Sequence, residues 1–145
     1  YVEIEAQMDD YEGQFYGLWE YGVQDPFATQ PTFQHQGAEL DMIETFAEAD
    51  TAQVHAHMRD GSPGGGAEVF PFLEDTYALD TSEWHTYGME RTATAIRFYL
   101  DGVLKTEWTI ADNPDEVAYF DSVPMDLRLQ HFAGIYWRDD LAPTF

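Results

Sequence analysis

Thr94-Ala-Ile-Arg-Phe-Tyr-Leu-Asp-Gly-Val-Leu-Lys-Thr-Glu-Trp-Thr-Ile110 consists of two strand-like runs joined by Asp101-Gly102. Ile96, Phe98 and Leu100 alternate with Arg97 and Tyr99, the period of two that buries one face of a strand. Asp-Gly is a preferred pair for a two-residue hairpin turn, where the backbone must turn tightly with positive φ. The stretch therefore reads as a β-hairpin. Outward from it, Val2-Glu-Ile-Glu-Ala-Gln-Met8 alternates in the same way. Further short runs lie at Phe15 to Tyr21, Ala38 to Phe46, Thr51 to Met58, His85 to Glu90 and Met125 to Phe132. Gly-, Pro- and Asp-rich segments separate them, notably Asp60-Gly-Ser-Pro-Gly-Gly-Gly66 and Ala111 to Asp115. No long amphipathic helix is apparent. The expected fold is all-β, an antiparallel β-sandwich or barrel.

At 145 residues the chain is one domain's worth of protein. With 44% hydrophobic and 16% aromatic residues it has the material for a core. No run approaches the roughly 18 consecutive apolar residues that a membrane span needs, so no membrane partner is expected. No signal peptide is visible and the chain begins on Tyr1, which reads as a processed or partial piece. The absence of cysteine removes disulfides and cysteine-based zinc sites. Twenty-eight acidic residues against six Lys plus Arg give a net charge of −22, which repels a phosphate backbone and argues against nucleic acid. The acidic stretch Asp112-Asn-Pro-Asp-Glu116 lacks the glycine and ligand spacing of an EF-hand.

The segment richest in chemistry is Gly37-Ala-Glu-Leu-Asp-Met-Ile-Glu-Thr-Phe46. On a regular strand Glu39 and Asp41 share a face, whereas Glu44 falls at an odd offset and points away. A β-bulge after Asp41 returns Glu44 to the first face, with Met42 as the extra residue and Leu40 and Ile43 toward the core. Three carboxylates that close repel one another, and at least one should bind its proton more tightly. Such a set suits double-displacement glycoside hydrolysis, where a carboxylate and a protonated partner lie about 5–5.5 Å apart. A solvated acidic strand face accounts for the spacing equally well.

Glu39-Leu-Asp-Met-Ile-Glu44 resembles the Glu-x-Asp-x-x-Glu active-site strand of glycoside hydrolase family 16. Tyr1 to Met8, Phe15-Tyr-Gly-Leu-Trp19, Trp84 to Glu90 and Ala95 to Leu104 resemble other strands of that family, in family order. The resemblance implies a concanavalin A-like jelly roll and a retaining endo-β-glycan hydrolase needing no cofactor. Glu39 would be the nucleophile, Glu44 the general acid/base, and Asp41 the residue that tunes the nucleophile. The spacing is similar to the laminarinase, agarase and carrageenase branches. The expected substrate is therefore a β-1,3-glucan, with a galactan second, and the expected location is extracellular or at the cell surface.

Around the carboxylates, Val54-His-Ala-His-Met-Arg59 puts His55, His57 and Arg59 on one strand face. The corresponding family strand contacts sugar hydroxyls; a metal between the two histidines would lack a third ligand. Trp19 and Tyr21 share a face and could stack on sugars. Arg128, Gln130 and Phe132 also share a face, on a strand resembling the family's cleft floor, and Gln130 and Phe132 are the candidates there. Trp84 and Trp108 read as structural.

Three features depart from the family pattern. Arg91 stands where the family usually has Trp. The loop Gln30 to Gln36 lacks the Trp that precedes the motif in laminarinase-like members, leaving Phe33 or His35 in its place. The family's strands before Tyr1 and after Phe145 are missing, so the domain reads as a single, incomplete one. Those strands are expected elsewhere in the same chain or in a partner, and a structural calcium would draw on them. The alternative function is a carbohydrate-binding or adhesion module of a larger surface or phage-tail assembly that has lost turnover.

Overall fold

The computed structural model describes residues 1–8, 14–22, 38–46, 51–58 and 73–133. They form β1 (Val2–Ala6), β2 (Gln14–Gly22), β3 (Ala38–Phe46), β4 (Thr51–Met58), β5 (Leu73–Ala78), β6 (His85–Arg91), β7 (Ala95–Leu100), β8 (Val103–Thr109), α1 (Pro114–Ser122) and β9 (Met125–Ala133). Two antiparallel sheets result, ordered β1-β6-β7-β8 and β5-β4-β3-β2-β9. The all-β sandwich expected from the alternation is the observed architecture.

The Asp101-Gly102 hairpin is a tight turn with φ of 52° and 73°, the left-handed pair that a primed turn demands. Asp101 does a second job. Its carboxylate accepts the Thr86 N–H at 2.9 Å and faces His85 Nδ1 at 2.8 Å, tying the turn to β6. These contacts, the backbone donor first, hold its carboxyl below the ordinary range.

The core fills the space between the sheets. Leu18, Leu40, Ile43 and Val54 come from the five-stranded sheet, and Tyr87, Met89, Ile96 and Phe98 from the four-stranded one. Helix α1 covers one end with Val117 and Phe120. On the β5/β8 side the sheets are also joined by polar groups. The Thr106 hydroxyl donates to Asp75 Oδ2 at 2.6 Å and lies 2.6 Å from the Tyr77 hydroxyl. Burial pushes the Tyr77 phenol up to about 12. The β9 side differs. Leu127 and Leu129 oppose Glu20 and Leu18, so they project toward the core side, yet they are 42% and 67% exposed.

Two elements depart from the sequence reading. Leu73-Glu-Asp-Thr-Tyr-Ala78 is an edge strand, although only Leu73 and Tyr77 of it are half-buried. The acidic stretch taken as a loop opens α1: Pro114 sits at the start, and Asp115 and Glu116 occupy the first turn, where carboxylates suit the positive end of the helix. Of the two tryptophans read as structural, Trp108 packs on Phe98 at 5.0 Å, whereas Trp84 is 62% exposed and belongs to no core.

Candidate active site

The bulge inferred in β3 is present. Against β2, Ile43 pairs with Leu18 and Asp41 with Trp19, leaving Met42 without a counterpart. Against β4, Asp41 pairs with His55 and the next pairing is Glu44 with Gln53. Met42 and Ile43 both bury in the core, because two residues here span the length of one on the neighbouring strands. Directly opposed residues of an antiparallel sheet project to the same side. Glu39 opposes Tyr21, Asp41 opposes Trp19 and Glu44 opposes Gly17, so all three carboxylates share the face of the β2 odd positions. That face is turned away from the core.

The three acids differ in environment. Asp41 is only 1% exposed, while Glu39 and Glu44 are half-buried. Gly17 opposite Glu44 brings no side chain over that carboxyl; a Cβ there would lie 3.4 Å from the rings of both Phe15 and Trp19. A Cβ would fit there in ordinary contact, so what Gly17 contributes is an open surface at Glu44.

Beside the carboxylates stands an aromatic pair. The Trp19 and Tyr21 rings meet edge to face, 5.4 Å apart. The Trp19 Nε1–H is buried and, among the described residues, has no hydrogen-bond partner. On the far side of β2, Asp126, Arg128 and Gln130 oppose Tyr21, Trp19 and Gly17. The Arg128 guanidinium lies over both rings, 4.4 Å from the centre of Tyr21 and 4.9 Å from that of Trp19. A surface hollow of about 450 Å³ runs along β9, lined by Trp19, Arg128 and Gln130 from this face and by Leu127 and Leu129 from the other.

Of the other residues singled out from the sequence, His57 and His55 occupy strand positions opposite Glu39 and Asp41, and Phe132 is opposite Phe15. The side chains of these three lie outside the described residues, as do His35 and Arg59 altogether. Among the described residues no group of three or more His, Asp or Glu is arranged to hold a metal ion. Sequence reasoning placed Arg128 on the face of Gln130 and Phe132 without making it a candidate, and it passed over Gly17. The signal for each was present: Arg128 shares the alternation of Gln130 and Phe132, and Gly17 interrupts an aromatic run.

Arg91, the departure from the family's Trp, has a defined place. Its Nη1 donates to the carbonyls of Phe120 and Val123, each at 2.7 Å, satisfying the end of α1. Its Nε lies 3.7 Å from Glu20 Oε2 on β2. Burial raises the Glu20 carboxyl and Arg91 opposes that rise. One side chain therefore links β6, α1 and the strand that carries Trp19 and Tyr21.

The chain matches the family model described as Glycosyl hydrolases family 16 over residues 1–143. A search of curated proteins found no match. Among solved structures, the laminarinase catalytic domain of Thermotoga maritima superposes with a TM-score of 0.68 at 24% identity, over 93% of this chain and 53% of that one. The endo-β-1,3-glucanase of Pyrococcus furiosus gives 0.64 at 21% identity, over 94% and 54%. An endo-β-galactosidase of Clostridium perfringens gives 0.53 at 29% identity, over 74% and 27%. The chain spans about half the length of the laminarinase structures it matches. With the family model covering nearly the whole sequence, this chain belongs to glycoside hydrolase family 16.

Proposed function

We propose that this chain carries the catalytic face of a retaining, endo-acting hydrolase of a β-linked polysaccharide. The observation that supports this best is the bulge, which brings Glu39, Asp41 and Glu44 onto one sheet face turned away from the core, beside an aromatic pair. In this reading the Glu39 carboxylate attacks the anomeric carbon. The bond to the leaving oxygen breaks as Glu44 delivers its proton there. Glu44, now a carboxylate, takes a proton from water. That water's oxygen attacks the same carbon and releases Glu39. Asp41, buried between them, tunes the protonation of Glu39. The reaction uses carboxylates and water alone and calls for no cofactor.

A β-1,3-glucan is the first polymer to test, given the laminarinases among the similar structures, and a galactan the second. Polymers of this size meet the enzyme outside the cell or at its surface. Trp19, Tyr21 and Gln130, with the strand positions of His55, His57 and Phe132, line the same face and would contact sugars. Glu39→Gln keeps the size of the side chain and removes the nucleophile. Release of reducing ends from laminarin should fall by at least about a thousandfold with the melting temperature unchanged. Full activity in that variant sinks the assignment, and sugar binding without turnover in the unaltered chain points to the adhesion-module reading instead.

A further inference from the structure

Arg128 is out of place on a face of carboxylates in a chain with a net charge of −22. The other arginines described are committed. Arg91 is bonded to the end of α1, and Arg97 bridges Glu90 at 2.7 Å and Glu107 at 2.6 Å. Arg128, by contrast, has no ion pair or hydrogen bond among the described residues, although Asp126 lies two positions away on the same face. Its guanidinium is held over Tyr21 and Trp19 instead. A guanidinium over a ring is attracted by the π face and leaves the N–H edge free to fork onto an oxyanion. Its conformational freedom is already reduced before a ligand arrives. The hollow of about 450 Å³ beside Trp19 and Arg128 has room for a substituent. A guanidinium with no acceptor among the described residues calls for a ligand that brings one.

We propose that Arg128 is a specificity-determining residue that receives an oxyanion substituent, a sulfate ester or a uronate carboxylate, carried by the glycan. This rests on reading the face as a glycan cleft, and it concerns which glycan. Arg128 sits two strands from β3, about 10 Å off the carboxylate line. It therefore contacts a decoration on a sugar near the cleavage point and leaves the linkage to the three acids. The negative charge of the chain does not forbid this, since repulsion beyond about 8–10 Å is screened at ordinary ionic strength. It does mean that the preference depends on one side chain. Without Arg128, Asp126 and Glu39 remain on that face and disfavour an anion.

The test is binding, read without turnover. The unaltered chain and Arg128→Gln are titrated with a neutral agarose-type galactan oligosaccharide, its sulfated carrageenan-type counterpart of equal length, and a uronate-bearing glucan oligosaccharide. The Trp19 indole N–H resonance and calorimetry serve as reporters. The unaltered chain should bind the sulfated or the uronate oligosaccharide at least tenfold more tightly than the neutral one. Arg128→Gln should lose about tenfold to a hundredfold on the anionic ligand and change less than twofold on the neutral one. Arg128→Lys should recover only part, because an ammonium lacks the fork. Equal affinity for neutral and anionic ligands overturns the proposal, as does an equal loss on both in Arg128→Gln, which would make Arg128 a cap on the rings only. Neither result bears on Glu39, whose test is loss of hydrolysis.

Discussion

Asp101 shows how much one residue can carry. It adopts the positive φ of the hairpin turn, accepts the Thr86 N–H and pairs with His85. Because its folded carboxyl titrates below the ordinary 3.8, the charged form stabilises the fold. That stabilisation is present above pH 4 or so and is lost as pH falls through the lowered value. Asn tolerates the same backbone conformation but carries no charge. Asp101→Asn should therefore lower the melting temperature at pH 7, and the gap from the unaltered chain should narrow as pH falls below 3.8 through the lowered value. A gap that persists unchanged through that fall would mean that the charge contributes nothing. Gly102 was legible in the sequence for the same reason, since Asp-Gly states its turn openly. The face of Arg128 was legible from its alternation with Gln130 and Phe132, but its placement over Trp19 and Tyr21 was not, because that comes from pairing between strands more than a hundred residues apart.

At the scale of elements, strands that bury one face announced themselves. Ile96, Phe98 and Leu100 alternate in sequence and are buried in the structure. Even the bulge in β3 could be read, because Glu39, Asp41 and Glu44 share a face only if one residue is looped out. β5 could not be read, since an edge strand facing solvent keeps too few apolar residues to show a period. Helix α1 is nine residues long, too short for its own period to stand out, and its start signal Asn113-Pro114-Asp115-Glu116 resembles an acidic loop. β9 makes a further testable point. Its Leu129 projects to the core side but is 67% exposed. Leu129→Thr should change the unfolding free energy of this chain by less than about 0.5 kcal/mol. A loss above about 2 kcal/mol, measured by denaturant titration, would show that the residue is covered in solution.

For the whole molecule, the two faces of the five-stranded sheet divide the work. One packs Leu18, Leu40, Ile43 and Val54 against the other sheet, and the opposite one displays the carboxylates, the aromatic pair and Arg128. The same bulge serves both, since burying Met42 and Ile43 together is what turns Glu44 outward. Hydrolysis by this face depends first on Glu39 attacking the sugar. A 2-deoxy-2-fluoro laminaribiosyl fluoride, whose fluoride leaves readily while the fluorine at carbon 2 slows hydrolysis of the intermediate, should label the chain once. Mass spectrometry of the digested protein should then find the sugar on the carboxylate of Glu39. A label on Glu44 or Asp41 would contradict the assignment.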